Sequence, residues 1–152
     1  MLFLFIKYIH ILSAIAAVGA NITYGIWIAR ASREPKELPF ILRNIQFIDR
    51  RVANPCYGLL LLTGVLMALL APISLTTPWL LSALILYVTA ALLGIFAYAP
   101  VMRRQIQLLD SEGFNSPAYQ VAEKRSRMIG ILVTADVLLI LLLMVVKPAP
   151  WG

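Results

Sequence analysis

The sequence predicts an all-α, polytopic membrane protein: a four-transmembrane-helix bundle built from two long helical hairpins. Composition is the first reason. Of 152 residues, 61% are hydrophobic and only 13% charged, about half the charged share of a soluble domain. Mean hydropathy is +0.87, so the chain cannot cover itself with polar groups in water. The second reason is the length of the apolar runs. Four stretches, 8–29, 52–71, 79–99 and 128–146, come near the ~20 residues that cross a ~30 Å hydrocarbon core. The third is where the charge sits. Eleven of the thirteen Lys and Arg fall in 30–51 and 103–127, which makes these the cytoplasmic loops under the positive-inside rule. The whole chain, 1–152, then forms a single integral membrane domain of the bacterial inner membrane, with both termini outside.

Each element follows from its own residues. The first stretch is read as a retained helix and not a cleaved signal, because Met1 to Ile6 carry no charge and the apolar run continues past Val18-Gly19-Ala20 to Ala29. In the first loop, Ile41, Leu42, Ile45 and Ile48 fall on one face after Pro39, the spacing of an amphipathic helix at the interface. That helix runs into Asn54-Pro55, where the proline should kink it. The link 72–78 is uncharged and forms the outer turn, with Trp79 and Trp151 at the outer interface as an aromatic belt. Gly113 should stop the third helix. Ser116-Pro117 is an N-cap followed by Pro at N1, so the fourth helix should begin well before the bilayer.

Two short matches suggest related halves: Leu12-Ser13-Ala14 with Gly25-Ile26-Trp27, against Leu81-Ser82-Ala83 with Gly94-Ile95-Phe96. A parallel duplication and chance in an apolar sequence both fit.

The basic loops are mixed with Glu34, Glu37, Asp49, Asp110, Glu112 and Glu123, and no nucleic-acid-binding motif accompanies them, so no nucleic-acid partner is expected. One cysteine, Cys56, excludes an internal disulfide and a Cys-based zinc site. No nucleophile elbow, P-loop, His metal motif or carboxylate pair is present, so no metal site is expected and enzymatic activity is left open.

Chemistry-bearing residues are few. On the first helix Lys7, His10, Ser13, Ala14, Ala17, Asn21, Tyr24 and Gly25 share one side, opposite Leu12, Ile15, Ile22 and Ile26. Such a small and polar stripe should face a neighbouring helix. His10, the only histidine, can be a hydrogen-bonded interhelical contact, a haem axial ligand or a proton carrier. Haem b would need five-coordinate iron, a dimer partner or a methionine, and Met67 is the weak candidate for a second ligand. Asp136 falls near the bilayer midplane, where a carboxylate costs at least about 2.5–3.5 kcal/mol. It should face the bundle, with Asn21, Thr63, Thr89 or Tyr57 as candidate partners. Ala53, Tyr57, Leu61, Gly64, Ala68 and Ala71 make a second small-residue seam, expected against helix one or another subunit.

The run Lys7-Tyr8-Ile9-His10-Ile11-Leu12-Ser13-Ala14 with Gly19, and later Arg50-Arg51-Val52-Ala53-Asn54-Pro55 with Thr63-Gly64, resembles a bacterial family of predicted integral membrane proteins of unknown function. That family is in turn distantly similar to copper-resistance-D-like proteins and to the membrane-bound protoporphyrinogen oxidase. The resemblance to the oxidase implies a haem role for His10 alone. The second histidine and the charged motifs of that enzyme are missing, and no Met/His cluster suits copper.

The leading expectation is a membrane protein acting through helix contacts among membrane lipids, as a homo-oligomer or a subunit of a larger membrane complex. A haem-binding, redox-linked protein using His10 is the alternative. Proton or small-solute transport through Asp136 is the third reading.

Overall fold

The computed structural model describes residues 1–71 and 73–148. Trp151 and Pro72, assigned above to the outer interface and the outer turn, lie outside them. All regular structure among the described residues is helical: α1 (Leu2–Ala31), α2 (Leu38–Ile48), α3 (Asn54–Leu70), α4 (Pro78–Leu92), α5 (Ala99–Glu112) and α6 (Pro117–Val146). A π-helical turn, Asp49–Ala53, joins α2 to α3, and another, Leu93–Tyr98, joins α4 to α5. The result is four continuous rods of 30, 33, 35 and 30 residues, each long and apolar enough to cross a membrane. At 1.5 Å per residue they measure roughly 45–53 Å, so each outruns a ~30 Å core by several turns.

The chain divides into two compact units. The first contains Met1–Glu34 and Phe40–Thr77, the second Pro35–Pro39 and Pro78 onward. In the first, α1 packs against α3 and the π turn before it. In the second, α6 packs against α4, α5 and the π turn between them.

Burial is inverted relative to a water-soluble core. Inside lie Ser13, Ala17, Ala31, Ala53, Thr63, Ala68, Ala83, Ala122 and Ser126, while Leu12, Ile15, Ile22, Leu62, Leu69, Ile85, Phe96 and Leu142 are exposed. Lipid tails are as apolar as leucine, so large side chains gain nothing by turning inward. Small ones let two helix backbones approach closely.

The helix-four start and helix-three stop stand as expected. Gly113 closes α5 with φ 83°, and the Ser116 hydroxyl caps α6 by accepting from the Tyr119 N–H at 3.3 Å. The transmembrane spans, by contrast, are longer than their apolar cores. α1 already begins at Leu2, since nothing before Lys7 breaks a helix.

The junction at Pro55 contains a π turn. Proline lacks the N–H that a carbonyl four residues back requires. The chain inserts one residue instead: the Asn54 N–H reaches back five residues to the Asp49 carbonyl. The same device precedes Pro100, where the Ala99 N–H donates to the Gly94 carbonyl. A π turn absorbs the missing bond and the rod continues.

These turns bear on the suspected duplication. In the first unit the interrupted rod comes second; in the second unit it comes first. The matched serines differ as well, Ser13 being buried and Ser82 exposed. The two halves thus differ in both features.

Candidate functional site

The polar groups of the first unit meet in one seam between α1 and α3. The stripe expected on α1 faces inward: Ser13, Ala17 and Tyr24 are buried, and His10, Ala14 and Asn21 half-buried. Lys7 and Gly25, at its margins, are exposed. Leu12, Ile15, Ile22 and Ile26 face away, all exposed.

His10 sits against one face of α3. Its Nδ1 lies 2.8 Å from Thr63 Oγ1, and the ring also lies beside the Leu60 carbonyl. A Cβ built on Gly64 would stand 3.3 Å from His10 Cε1, so glycine leaves the imidazole its room. The Thr63 hydroxyl donates to the Leu59 carbonyl at 2.5 Å. With the Thr63 proton on the Leu59 carbonyl, the ring donates from Nδ1; the direction of the His10–Thr63 bond follows the tautomer.

Two turns and more toward the loop end, the Asn21 side-chain amide donates to the Tyr57 hydroxyl. Ala17 fills the level between these clasps. Of the seam expected on α3, Ala53 and Ala68 are buried and Tyr57, Gly64 and Ala71 half-buried, but Leu61 is exposed. Steps of four residues drift by about 40° each on a 3.6-residue helix. After two such steps from Ala53 the inward position has passed from Leu61 to Leu60 and Thr63.

Met67 is half-buried on α3, one turn beyond Thr63 toward the termini. Four residues of helix separate them, ~6 Å of rise. The described contacts give His10 Thr63, and not Met67, as its partner.

Asp136 is the other ionisable residue at depth, in α6. Its Oδ2 is buried and meets no hydrogen-bond partner among the described residues. Of the four candidates for that role, Asn21 donates to Tyr57, Thr63 bonds to His10 and the Leu59 carbonyl, and Thr89 donates to the Ile85 carbonyl at 3.0 Å. Nothing in the sequence foretold those pairings, because they depend on the vertical register of the helices.

At its loop end the second unit is well tied. Gln105 Nε2 lies 3.4 Å from the Tyr119 hydroxyl, both residues being buried, and the Phe114 and Tyr119 rings pack at 5.6 Å. Ser116 also donates to Glu112 at 2.6 Å. At its other end the Lys147 ammonium stands 5.6 Å over the Trp79 ring, an attraction of the ring face for a cation. Among the described residues no group of three or more His, Cys, Asp or Glu could hold a metal ion. Cys56 is a free, half-buried thiol.

A family model described as "Predicted integral membrane protein (DUF2269)" matches residues 4–148. The chain belongs to that family. The match takes in both hairpins, the His10–Thr63 and Asn21–Tyr57 clasps and Asp136 alike. No curated protein and no solved structure matches. The family's description fixes the membrane location and leaves the activity to be argued from the side chains.

Proposed function

We propose that the protein acts through helix contacts within the bacterial inner membrane, as a homo-oligomer or an accessory subunit of a larger membrane complex, with both termini outside. The observation that carries this reading is the use made of polar side chains in the first hairpin. His10 and Asn21 are engaged by Thr63 and Tyr57, so they serve as glue between α1 and α3, the usual employment of such groups in lipid. The faces left over are apolar and notched. Gly19, Gly25 and Gly58 are exposed, and a Cβ at any of them would meet nothing within 4 Å, which leaves room for another helix to come close. The test is association in bilayer nanodiscs of varied size, followed by single-molecule photobleaching. Gly58→Leu should lower the associated fraction without unfolding the chain. An unchanged monomeric distribution for wild type and variant, with no co-purifying membrane protein, would overturn the reading.

A second reading is favoured by the bond between His10 Nδ1 and Thr63. In the Nδ1–H form the imidazole keeps its lone pair on Nε2, the arrangement in which a ligating histidine is oriented by an outer partner. The residues fit haem b to that extent: His10 would hold the iron, and bound haem would supply one-electron chemistry. Met67, one turn beyond Thr63 on α3, would be the candidate second ligand. Oxidised and dithionite-reduced absorption spectra of protein expressed with ample haem decide it. A stoichiometric Soret band lost in His10→Leu supports haem binding, and a blank spectrum removes it.

A further inference from the structure

One stripe of α6 changes character along its length. Lys124, Arg127, Met128, Ile131 and Leu132 line an open cavity of about 250 Å³. Their spacing, i, i+3, i+4, i+7 and i+8, places them on one side of the helix. That side is turned away from the packing face, where Ala122, Ser126, Ile129 and Val137 are buried. Met128, Ile131 and Leu132 are 59, 63 and 53% exposed.

The charged end is rich in donors. Arg127 is held by Glu123 one turn back, which occupies one nitrogen and leaves the remaining guanidinium N–H groups free to donate outward. Lys124 is exposed and has no ion pair among the described residues, and Arg125 adjoins it. On α5, Arg103 and Arg104 fall between the contacts that fix register with α6, Tyr98 against Gly130 and Gln105 against Tyr119. They stand about level with Val121 and Ala122, the turn just before Lys124. Glu123 is the one acid there, and it is already spent on Arg127.

From Lys124 to Leu132 the stripe runs eight residues, ~12 Å. It is cationic for its first turn and apolar for the next, and the change comes at Met128, where the apolar span begins. Each simple occupant leaves part of it unused. A free anion has no use for the apolar turn, and a neutral lipid none for the ammonium. An amphiphile with an anionic head and an acyl tail uses both, and basic positions at a membrane boundary attract anionic lipids.

We propose that this face of α6 is a binding site for an anionic phospholipid. The phosphate is held by Lys124 and Arg127, and the proximal acyl chain lies along Met128, Ile131 and Leu132, in the leaflet on the basic-loop side. The site stands apart from the seam of the first hairpin and from whatever that seam does.

The test is native mass spectrometry of the full-length protein released from bilayers with equal amounts of phosphatidylglycerol and phosphatidylcholine. Wild type should retain phosphatidylglycerol in clear excess. Lys124→Gln/Arg127→Gln should lower that preference by up to ~30-fold, from ~1 kcal/mol per cation. The charge-preserving Lys124→Arg/Arg127→Lys should restore most of it. Arg33→Gln/Lys36→Gln, the same loss of charge from the other basic loop, should leave it unchanged. A retained-lipid ratio near one in wild type would overturn the proposal. So would an equal loss from both neutralised pairs, which would mean diffuse attraction, or displacement by excess inorganic phosphate, which would mean a site for a soluble anion.

Discussion

The two hairpins solve the same problem differently. In the first, the polar side chains at membrane depth are matched across the helix pair, His10 to Thr63 and Asn21 to Tyr57. In the second, Gln105 and Tyr119 meet at the loop end beside Ser116 and Glu112, and Asp136 keeps a buried oxygen without a partner among the described residues. Both hairpins bury small side chains in their spans and expose many large ones, so that feature does not distinguish them. The buried acid of the second does. Interhelical hydrogen bonds in lipid contribute ~0.6 kcal/mol on average and up to ~1.7, enough to set which residues of two apolar helices lie level with each other. The first hairpin is pinned in mid-membrane. The second is pinned at its ends, by the Tyr119 cluster and by Lys147 over Trp79, and carries an acid between.

That contrast can be sharpened by substitution. The largest effect is expected from Asp136→Leu, which removes a carboxylate from mid-membrane. Apparent insertion free energy of α6, read with a glycosylation-tagged segment, should improve by about 3 kcal/mol. In the same variant of the whole protein, loss of a measurable proton or solute flux with assembly intact would give the acid a transport role.

Next comes Gly64→Val. A Cβ there already approaches His10 Cε1 at 3.3 Å, and a branched side chain must push the ring off Thr63. A loss of about 1–3 kcal/mol is expected from overpacking, measured by denaturant unfolding in mixed micelles. The same change at Gly58, which has nothing nearby, should cost far less.

Ser116→Ala removes the cap of α6 and should cost about 1 kcal/mol, visible as faster amide exchange over its first turn. The smallest effect is expected from Glu123→Gln. Its partner Arg127 has a side chain 60% exposed, so the pair contributes at most about 0.5 kcal/mol. Added salt should erase even that.

The sequence was most legible where geometry is local. The four spans, the Gly113 stop, the Ser116 cap and the inward stripe of α1 follow from hydropathy, a positive φ, a hydroxyl and a 100° step. Register across helices was not legible. His10 was open to three employments because nothing along the chain says that Thr63 stands level with it, 53 residues away. Leu61 was assigned to the α3 seam because a four-residue step was carried too far around the helix. Pro55 marks the junction in the sequence, but the π turn before it needs only one inserted residue and no glycine, and it leaves no mark in composition. For Asp136, residue type alone offers four candidate partners and says nothing of which of them lies level with it.

The central claim is that His10 is bonded to Thr63 to hold α1 against α3. A double-mutant cycle of His10→Leu and Thr63→Val tests it most directly, with stability of the full-length protein followed by reversible unfolding in mixed micelles. The account expects each single change to destabilise and the double change to cost little more than either alone, a coupling of about 0.6–1.7 kcal/mol. Strictly additive losses, or none at all, would contradict it and return His10 to a role outside the helix pair.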